Sequence, residues 1–445
     1  MFMWNNGNVK ENDKFIINGL AGQKILKGSI AVNGAKNEAL KILASTILFR
    51  DGFELTNVPE IEDVNRSLEL LDRLGIKTEW VSSGQYRLTV PQLTNFTLPG
   101  EIAKKLRASL VFAGPLLARL GRVVFPYPGG CLIGKRPIDL FLDGFVKMGA
   151  RVEETNDTFE LFSLTESGQP SKLRGAEIFF KNQSVTATET FILAGVLAEG
   201  RTILKNCALE PEVASLGEWL NQGGARISGL GTSTIVIEGG ELLTGAGQSH
   251  RIMPDRIEAG SFILLGALAA AELMVTGCRP DHLEAFLALL AETGVAMEVG
   301  PDWIKVINRP GQTFTATDIK THEYPGFPTD LQAPFAVFLT QAVGQSRLFE
   351  TIFEGRLNYL EGLKFMGAKI NILDVHRAII DEPTPLSGRE IESPDLRAGL
   401  AYVLAATVAS GRSIVHNVKY IDRGYEDVSQ RLASLGLDIK RVSVD

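Results

Sequence analysis

One cysteine-containing stretch offers the clearest prospect of chemistry in this chain. Residues 128–140 read PGGCLIGKRPIDL, which places Cys131 among glycines and shortly before Lys135 and Arg136. Glycine-rich backbone with neighbouring cations lowers the pKa of a thiol and so favours the reactive thiolate. The run from Gly129 to Lys135 also matches GxxxxGK, the start of a phosphate-binding loop, but Arg136 stands where that loop needs a hydroxyl to bind magnesium. The stretch therefore predicts a reactive cysteine on a surface loop, not an NTPase.

Six strongly apolar segments are predicted to be buried helices, and each opens on a charged or hydroxyl residue. The unpaired N–H groups at a helix N-terminus carry partial positive charge and attract anions. An acid at this end stabilises the helix, whereas lysine or arginine is unfavourable there and needs another reason, such as a bound anion. We therefore expect an anionic ligand near Lys36, Arg107 and Arg397. The six opening residues are Lys36, Arg107, Ser184, Arg256, Asp330 and Arg397.

The elements that carry these residues recur along the chain. A helical pattern, a glycine and a short strand appear six times, with glycines between 69 and 75 residues apart at Gly75, Gly149, Gly224, Gly294, Gly367 and Gly436. Each glycine suits the left-handed conformation that ends a helix before the next strand. Helices that are apolar on every side must be buried on every side. The sequence predicts an α+β fold of six repeated units, each of about seventy residues, with buried helices covered by sheets.

Composition limits the possible functions. The chain has 445 residues, 45% of them hydrophobic, which suffices for about two or three domains. A net charge of −7 argues against general nucleic-acid binding, because phosphate backbones select basic surfaces. We recognise no signal peptide or membrane-spanning stretch and expect a soluble, cytoplasmic protein without an obligate protein partner. Cys207, Cys278 and the five histidines lack disulfide or metal-ligand spacing, so we expect no metal and no cofactor.

Six separated segments, in order, resemble the UDP-N-acetylglucosamine 1-carboxyvinyltransferases, a group of enolpyruvyl transferases that begins peptidoglycan synthesis. The resemblance runs from about residue 14 to the C-terminus. It implies an inverted α/β prism of two domains, each of three repeats, with the active site between them. Because the chain of this family passes twice between domains, the expected domains are 1–35 plus 253–445, and 36–252. The segments are NGAKNEAL (33–40), PGGCLIGKRPIDL (128–140), PDRIEAGSF (254–262), FPTDLQAPF (327–335), ESPDLRAG (392–399) and YIDRGYE (420–426).

The resemblance also implies a reaction and the residues that bind its charged substrate. The family adds a sugar 3-hydroxyl to the central carbon of phosphoenolpyruvate, protonates its methylene carbon and then expels phosphate. The resemblance assigns the substrate phosphate to Lys36, Arg136 and Arg423. It assigns the substrate carboxylate to Arg356 and Arg397. Arginine suits both groups because its planar fork binds oxyanions in pairs.

Proton transfer falls to two further residues by the same resemblance. Asp330 is implied as the base or hydrogen-bond acceptor for the sugar hydroxyl. Cys131 is implied as the proton donor and as a thiol that can bind phosphoenolpyruvate covalently. The epoxide phosphonate fosfomycin is therefore expected to alkylate Cys131.

The positions that resemble UDP-sugar contacts contain three departures from the family pattern. Phe141 replaces the usual histidine after RPIDL, residues 182–186 read NQSVT where lysine-x-serine-valine-glycine is common, and Glu354-Gly355-Arg356 replaces glutamate-asparagine-arginine. The implied contacts are Asn37, Arg107, Arg136, Pro137, Ile138, Asp139, Leu140, Asn182, Gln183, Ser184, Val185 and Ile352.

Two alternative functions remain open. Asn182 and Thr186 leave room for an enolpyruvyl transferase that uses a different nucleotide, whereas the cysteine loop disfavours shikimate 3-phosphate as the acceptor. A repeat protein that only binds anionic ligands would have lost some of Lys36, Cys131 and Asp330, and all three are present.

Overall fold

A computed structural model describes residues 12–127, 138–165 and 167–443. Within these ranges the chain separates into two compact units. Unit 1 contains residues 12–33 and 254–443, and unit 2 contains residues 34–127 and 138–253.

Strands are short and occur throughout the described residues. They are β1 (Lys14–Asn18), β2 (Leu26–Ala31), β3 (Gly52–Thr56), β4 (Lys77–Ser82), β5 (Gln85–Thr89), β6 (Arg122–Pro126), β7 (Arg151–Glu154), β8 (Thr158–Phe162), β9 (Glu177–Phe179), β10 (Arg201–Lys205), β11 (Arg226–Ser228), β12 (Thr234–Glu238), β13 (Ser249–Arg251), β14 (Ala270–Thr276), β15 (Ala296–Val299), β16 (Trp303–Ile307), β17 (Ile319–Lys320), β18 (Gln345–Phe349), β19 (Ile370–Ile372), β20 (Arg377–Asp381), β21 (Glu390–Glu392), β22 (Arg412–His416) and β23 (Asp438–Val442).

Helices alternate with these strands, which confirms the predicted mixture of α and β structure. The α-helices are α1 (Lys36–Ser45), α2 (Glu62–Arg73), α3 (Gly100–Ala103), α4 (Ala113–Leu120), α5 (Asp139–Lys147), α6 (Val185–Gly195), α7 (Pro211–Gln222), α8 (Arg256–Ala269), α9 (Glu284–Glu292), α10 (Thr329–Leu339), α11 (Leu360–Phe365), α12 (Leu396–Val408) and α13 (Val428–Ser434). Short 3₁₀ helices occupy Thr46–Leu48, Arg107–Phe112, Pro280–Leu283, Arg356–Tyr359 and Val418–Tyr420.

The strands of the described residues form six sheets, three in each unit. In unit 1 the strand orders are β15-β16-β14-β2, β17-β18-β20-β19 and β21-β22-β1-β23, and in unit 2 they are β13-β3-β5-β4, β6-β8-β7 and β11-β12-β10-β9.

One pairing pattern is common to these sheets. Each four-stranded sheet has a parallel pair at one edge and antiparallel pairs across the rest. The three-stranded sheet is antiparallel, and a parallel bridge between Thr97 and Val124 lies at the edge where the other sheets have a fourth strand.

The most apolar helices form the centre of each unit, as predicted. In unit 1, α8, α10 and α12 pack together, and every residue of α8 is buried. Gly260 permits close packing, because a Cβ atom there would meet the side chain of Leu331 at 2.5 Å. Each buried Leu, Ile or Phe side chain contributes about 1.5–3 kcal/mol of hydrophobic stabilisation.

The six predicted helix-ending glycines all have positive φ, between 88° and 110°. Each follows the end of an amphipathic helix and precedes a strand, so the left-handed C-terminal conformation is confirmed at Gly75, Gly149, Gly224, Gly294, Gly367 and Gly436. Among the described residues, no helix is both long enough and apolar enough to cross a membrane.

A lysine and a glutamate lie side by side in the core of unit 2. The Lys41 ammonium of α1 is 3.2 Å from a carboxylate oxygen of Glu189 on α6, and Glu189 is fully buried. Burial raises the pKa of Glu189 to about 8 against the opposing charge of Lys41, and Glu212 and Glu210 raise it further. The folded chain therefore holds a proton on Glu189 over a pH range in which the unfolded chain has released it.

This pair predicts a pH dependence of stability. Between the ordinary pKa of 4.5 and the raised value of about 8, the folded state binds more protons, so the free energy of unfolding should fall as pH rises. Glu189→Gln should reduce this decline, which urea unfolding near the two ends of that range measures. Glu241→Gln is the matched control, because Glu241 forms an exposed pair with Lys172 in the same unit. An undiminished decline in the Glu189→Gln protein would contradict the assignment.

Candidate active site

The charged residues predicted from unit 1 converge at the beginnings of two packed helices. Asp330 is the second residue of α10 and Arg397 is the second residue of α12, and these helices contact each other. Arg356 begins a 3₁₀ helix nearby. We call Asp330, Arg356, Arg397 and Tyr425 the Asp330 cluster. Sequence reasoning anticipated the first three members.

Both arginines of the cluster bind the same carboxylate. Arg356 Nη2 lies 2.7 Å from Asp330 Oδ1, and Arg397 Nε lies 3.0 Å from Asp330 Oδ2. The arginine side chains are 4% exposed, whereas Asp330 is 26% exposed, so the carboxylate is the accessible member. Arg356 Nη2 also donates to the carbonyl of Thr329 at 3.2 Å.

The charges of the cluster determine the state of its carboxylate. Burial acts to raise the pKa of Asp330, but the charges of Arg397 and Arg356, with their hydrogen bonds, outweigh it and hold the pKa well below its usual range. Asp330 is therefore ionised at neutral pH and is a weak base in this arrangement. Two guanidinium groups share the one carboxylate of the cluster, which leaves N–H donors for an anionic ligand, while Glu350, Asp395 and Asp255 act on the arginines as further negative charges.

The arginines also keep donors for such a ligand. Within the described part of the chain, Nη2 of Arg397 and both Nε and Nη1 of Arg356 have no hydrogen-bond partner. A guanidinium group has five N–H donors in a planar fork, so donors of both arginines remain for a ligand. A carboxylate or phosphate ligand would satisfy them.

Glu350 organises the backbone beside the cluster, and sequence reasoning missed it. Its buried carboxylate accepts hydrogen bonds from the N–H groups of Ile352 and Phe353, at 2.9 and 3.1 Å, and from the hydroxyl of Thr329 at 2.9 Å. These bonds connect the turn that carries Ile352 to the start of α10. The only signal in the sequence was an acid directly after β18.

Two acids beside the predicted helix starts cap their helices, whereas Asp330, the one acid among the six predicted opening residues, does not. Asp255 and Asp395 cap α8 and α12, where each accepts bonds from two backbone N–H groups. Pro328 precedes α10 and makes no side-chain cap. Asp330 instead binds the two arginines through its side-chain carboxylate, and this charge interaction explains its position at the start of α10.

The remaining unit 1 residues lie on neighbouring elements. Arg423 is half-buried and lies two residues before Tyr425. Arg256 is buried at the start of α8, with its guanidinium carbon 5.6 Å from the ring centre of Tyr324.

In unit 2, the predicted phosphate ligand Lys36 has an acidic neighbour. Lys36 is the first residue of α1, and its ammonium lies 2.7 Å from the carboxylate of Asp63 on α2. Glu38, in the same first turn, accepts hydrogen bonds from the side chain of Ser215 and the N–H of Met253, both at 2.5 Å. These contacts fix the first turn of α1. Sequence reasoning missed Asp63 because an acid in the first turn of a helix has an ordinary explanation in helix stability.

The predicted UDP-sugar contacts of unit 2 lie at helix beginnings. Ser184 caps α6 by accepting from the N–H of Ala187 at 3.2 Å, and Val185 is the first residue of that helix. Asn182 and Gln183 precede this cap, and Asn37 is the second residue of α1. Ile138, Asp139 and Leu140 lie at the start of α5.

Several predicted residues fall outside the described part of the chain. They are Cys131, Arg136, Pro137 and the side chain of Arg107. The other two cysteines, Cys207 and Cys278, are buried, and burial raises the pKa of each thiol to about 11.

Comparisons with known proteins identify the family and the fold of the chain. The family model of EPSP synthase (3-phosphoshikimate 1-carboxyvinyltransferase) matches residues 20–432. The chain is 42% identical, over 97% of its length and 96% of the relative, to UDP-N-acetylglucosamine 1-carboxyvinyltransferase of Koribacter versatilis. It is also 42% identical, over 97% of its length and 99% of the relative, to UDP-N-acetylglucosamine 1-carboxyvinyltransferase 1 of Carboxydothermus hydrogenoformans.

A solved structure supports the fold. The enolpyruvyl transferase NikO from Streptomyces tendae superposes with a TM-score of 0.85 at 22% identity, over 98% of this chain and all of that one. Together with the family match over nearly the whole length, this likeness identifies the fold as that of the enolpyruvyl transferases. The chain belongs to the EPSP synthase family of carboxyvinyltransferases.

Proposed function

We propose that this chain transfers the enolpyruvyl group of phosphoenolpyruvate to the 3-hydroxyl of UDP-N-acetylglucosamine, releases phosphate and so serves peptidoglycan synthesis. The observation that carries the proposal is the Asp330 cluster, where two buried arginines share one carboxylate and retain unused donors. The names of relatives 42% identical over nearly the whole chain support this choice of substrates.

The substrate carboxylate is assigned to Arg356 and Arg397. Their free N–H groups suit a planar oxyanion. Binding one carboxylate between two arginines also fixes the orientation of the adjacent carbon–carbon double bond.

The reaction requires one addition and one elimination. In the addition, the sugar oxygen bonds to the central carbon of phosphoenolpyruvate, the hydroxyl loses its proton, and the methylene carbon gains a proton to become a methyl group. In the elimination, the methyl group loses a proton, the double bond re-forms, and the bond to the phosphate oxygen breaks. We assign protonation of the methylene carbon to Cys131, as the family resemblance implies.

Asp330 is assigned to the sugar hydroxyl. Each oxygen of its carboxylate already accepts from one arginine, but a carboxylate has about four acceptor positions, so a hydroxyl can also bind. Its low pKa favours the role of an acceptor that orients the hydroxyl. The pKa of Asp330 would rise when the substrate carboxylate binds Arg356 and Arg397, because their positive charge is then shared between two carboxylates.

The substrate phosphate is assigned to Lys36, Arg136 and Arg423. The ammonium of Lys36 has three donors, so it can keep its contact with Asp63 and still bind phosphate. UDP-sugar contacts are assigned to Asn37, Arg107, Arg136, Pro137, Ile138, Asp139, Leu140, Asn182, Gln183, Ser184, Val185 and Ile352.

The finer architecture belongs to the same proposal. We regard the six sheets with their buried helices as six repeats of an inverted α/β prism, three in each of two domains. The shared pairing pattern of the sheets supports this. Domain limits of 1–35 plus 253–445 and 36–252, and a cytoplasmic location, remain predictions.

An acceptor panel tests the proposed substrates. Phosphate release from phosphoenolpyruvate should be sustained with UDP-N-acetylglucosamine and stay at background with uridine monophosphate, shikimate 3-phosphate or no acceptor. Sustained release with uridine monophosphate or shikimate 3-phosphate, and none with UDP-N-acetylglucosamine, would transfer the assignment to another enolpyruvyl acceptor.

A further inference from the structure

Tyr425 is the member of the Asp330 cluster that the proposed chemistry leaves without a role. It lies in the segment YIDRGYE, two residues after Arg423, and is 1% exposed. Its phenol oxygen accepts a hydrogen bond from Arg397 Nη1 at 2.9 Å, and its ring centre is 5.3 Å from the guanidinium carbon. A buried tyrosine therefore contacts a catalytic candidate through both its hydroxyl and its ring.

The contacts of Arg397 occupy two of the three nitrogen atoms of its guanidinium group. Nε donates to Asp330 and Nη1 donates to Tyr425, whereas Nη2 has no hydrogen-bond partner among the residues that the structure describes. A planar group that is bound at two of its atoms cannot rotate without breaking one of the bonds. The two N–H groups of Nη2, which we call the Nη2 edge, are consequently held in one orientation.

The phenol of Tyr425 is buried and has one long polar contact with α8. Its oxygen lies 3.5 Å from the hydroxyl oxygen of Ser261, and that hydroxyl donates to the carbonyl of Ile257 at 2.7 Å. The bonds can therefore run in one direction, from Arg397 to Tyr425, then to Ser261 and to the backbone of α8. The orientation of Arg397 is thereby tied to the rigid core of unit 1.

We propose that Tyr425 is a positioning residue for Arg397, which it holds so that the unused Nη2 edge faces the carboxylate of phosphoenolpyruvate. This inference rests on the proposed function, because it assigns that carboxylate to Arg397. Tyr425 acts through Arg397 and does not itself touch the substrate. A hydroxyl is required because the ring alone cannot accept the hydrogen bond from Nη1.

The direct test is Tyr425→Phe, which removes one oxygen and keeps the ring. Loss of a hydrogen bond to a charged group predicts a fall in kcat/KM for phosphoenolpyruvate of roughly tenfold to a hundredfold. The KM for phosphoenolpyruvate should rise, because Arg397 already contacts the carboxylate in the bound ground state. The Kd for UDP-N-acetylglucosamine, measured by calorimetry without phosphoenolpyruvate, should stay within about twofold of that of the wild type.

Tyr402→Phe is the matched control. Tyr402 is also buried, lies on the same helix as Arg397, and donates its hydroxyl to the carbonyl of Tyr359 at 2.7 Å. Removing this hydroxyl should lower the melting temperature without changing kcat/KM for phosphoenolpyruvate more than about twofold. Equal kinetic losses in the two variants would mean that any buried phenol matters, and would overturn the inference.

A double-mutant cycle tests whether Tyr425 acts through Arg397. In an Arg397→Lys background the planar fork is gone, so adding Tyr425→Phe should cost less than about twofold. An undiminished effect of Tyr425→Phe in that background would overturn the inference. If the wild-type protein showed no turnover with any enolpyruvyl acceptor, the proposed function and this inference would both be wrong. If the wild-type protein were active and the Tyr425→Phe variant were unimpaired, the inference alone would be wrong.

Discussion

Replacement of Arg397 by alanine should lower the turnover of phosphoenolpyruvate with UDP-N-acetylglucosamine by on the order of a hundredfold or more, the usual cost of removing one preorganised donor from a charged site. Arg397 is buried and binds Asp330 and Tyr425, and its remaining edge is assigned to the substrate carboxylate. The variant loses a binding group and one of the two charges that lower the pKa of Asp330. Steady-state kinetics with purified protein measures the loss.

The control for Arg397→Ala must separate the effect of losing an arginine at the site from the effect of losing an arginine elsewhere in the unit. Arg347→Ala serves this purpose, since Arg347 forms an arginine–aspartate pair with Asp318 on the exposed surface of the same unit. We expect this variant to keep wild-type turnover, because exposed pairs contribute only about 0–1 kcal/mol to stability. If folded Arg397→Ala protein kept near-normal turnover, Arg397 would have no place in the site.

Asp330→Asn should nearly abolish turnover while UDP-N-acetylglucosamine still binds. The amide keeps the shape of the carboxylate but loses its charge and its capacity to take a proton, and one of its two terminal atoms becomes a donor that faces an arginine. Loss of acid–base participation alone costs typically on the order of a hundredfold to ten-thousandfold. Kinetics gives the turnover and calorimetry gives the affinity for the nucleotide sugar.

Two comparisons complete this experiment. Asp318→Asn makes the same substitution in the exposed pair with Arg347 and should leave the kinetics unchanged. Asp330→Asn leaves two buried arginines without their shared acid, so its melting temperature should fall as well. Turnover within a few-fold of the wild type would show that water or another residue takes the hydroxyl proton.

The helices and their ends were the most predictable part of the fold. A helix that is apolar on all sides, such as α8, has only one stable environment, and a glycine between a helix and a strand has a specific backbone use. Both predictions follow from local physical rules and both are confirmed. The pairing of strands distant in sequence was beyond these rules. The pairing of β1 with both β22 and β23, for example, leaves no signal in the local pattern of Lys14–Asn18.

The sequence predicted which residues belong to the site better than it predicted which of them contact each other. Charge at a helix start indicated Arg397, because arginine is unfavourable there, whereas the role of Asp330 came only from the family resemblance. The sequence does not indicate that Asp330 binds two arginines, since Arg356 and Arg397 are separated from it by 26 and 67 residues. Tyr425 and Glu350 went unnoticed because a buried tyrosine and an acid after a strand are common in any fold.

The carbon NMR spectrum of the product shows whether an intact enolpyruvyl group is transferred to the sugar. Purified protein would be incubated with UDP-N-acetylglucosamine and phosphoenolpyruvate that carries carbon-13 at its central carbon. We expect one new labelled enol-ether carbon, coupled through the ether oxygen to the proton on carbon 3 of the sugar, in an amount equal to the phosphate released. Phosphate release that yields only labelled pyruvate, or a labelled carbon attached elsewhere than at the sugar 3-oxygen, would contradict this transfer.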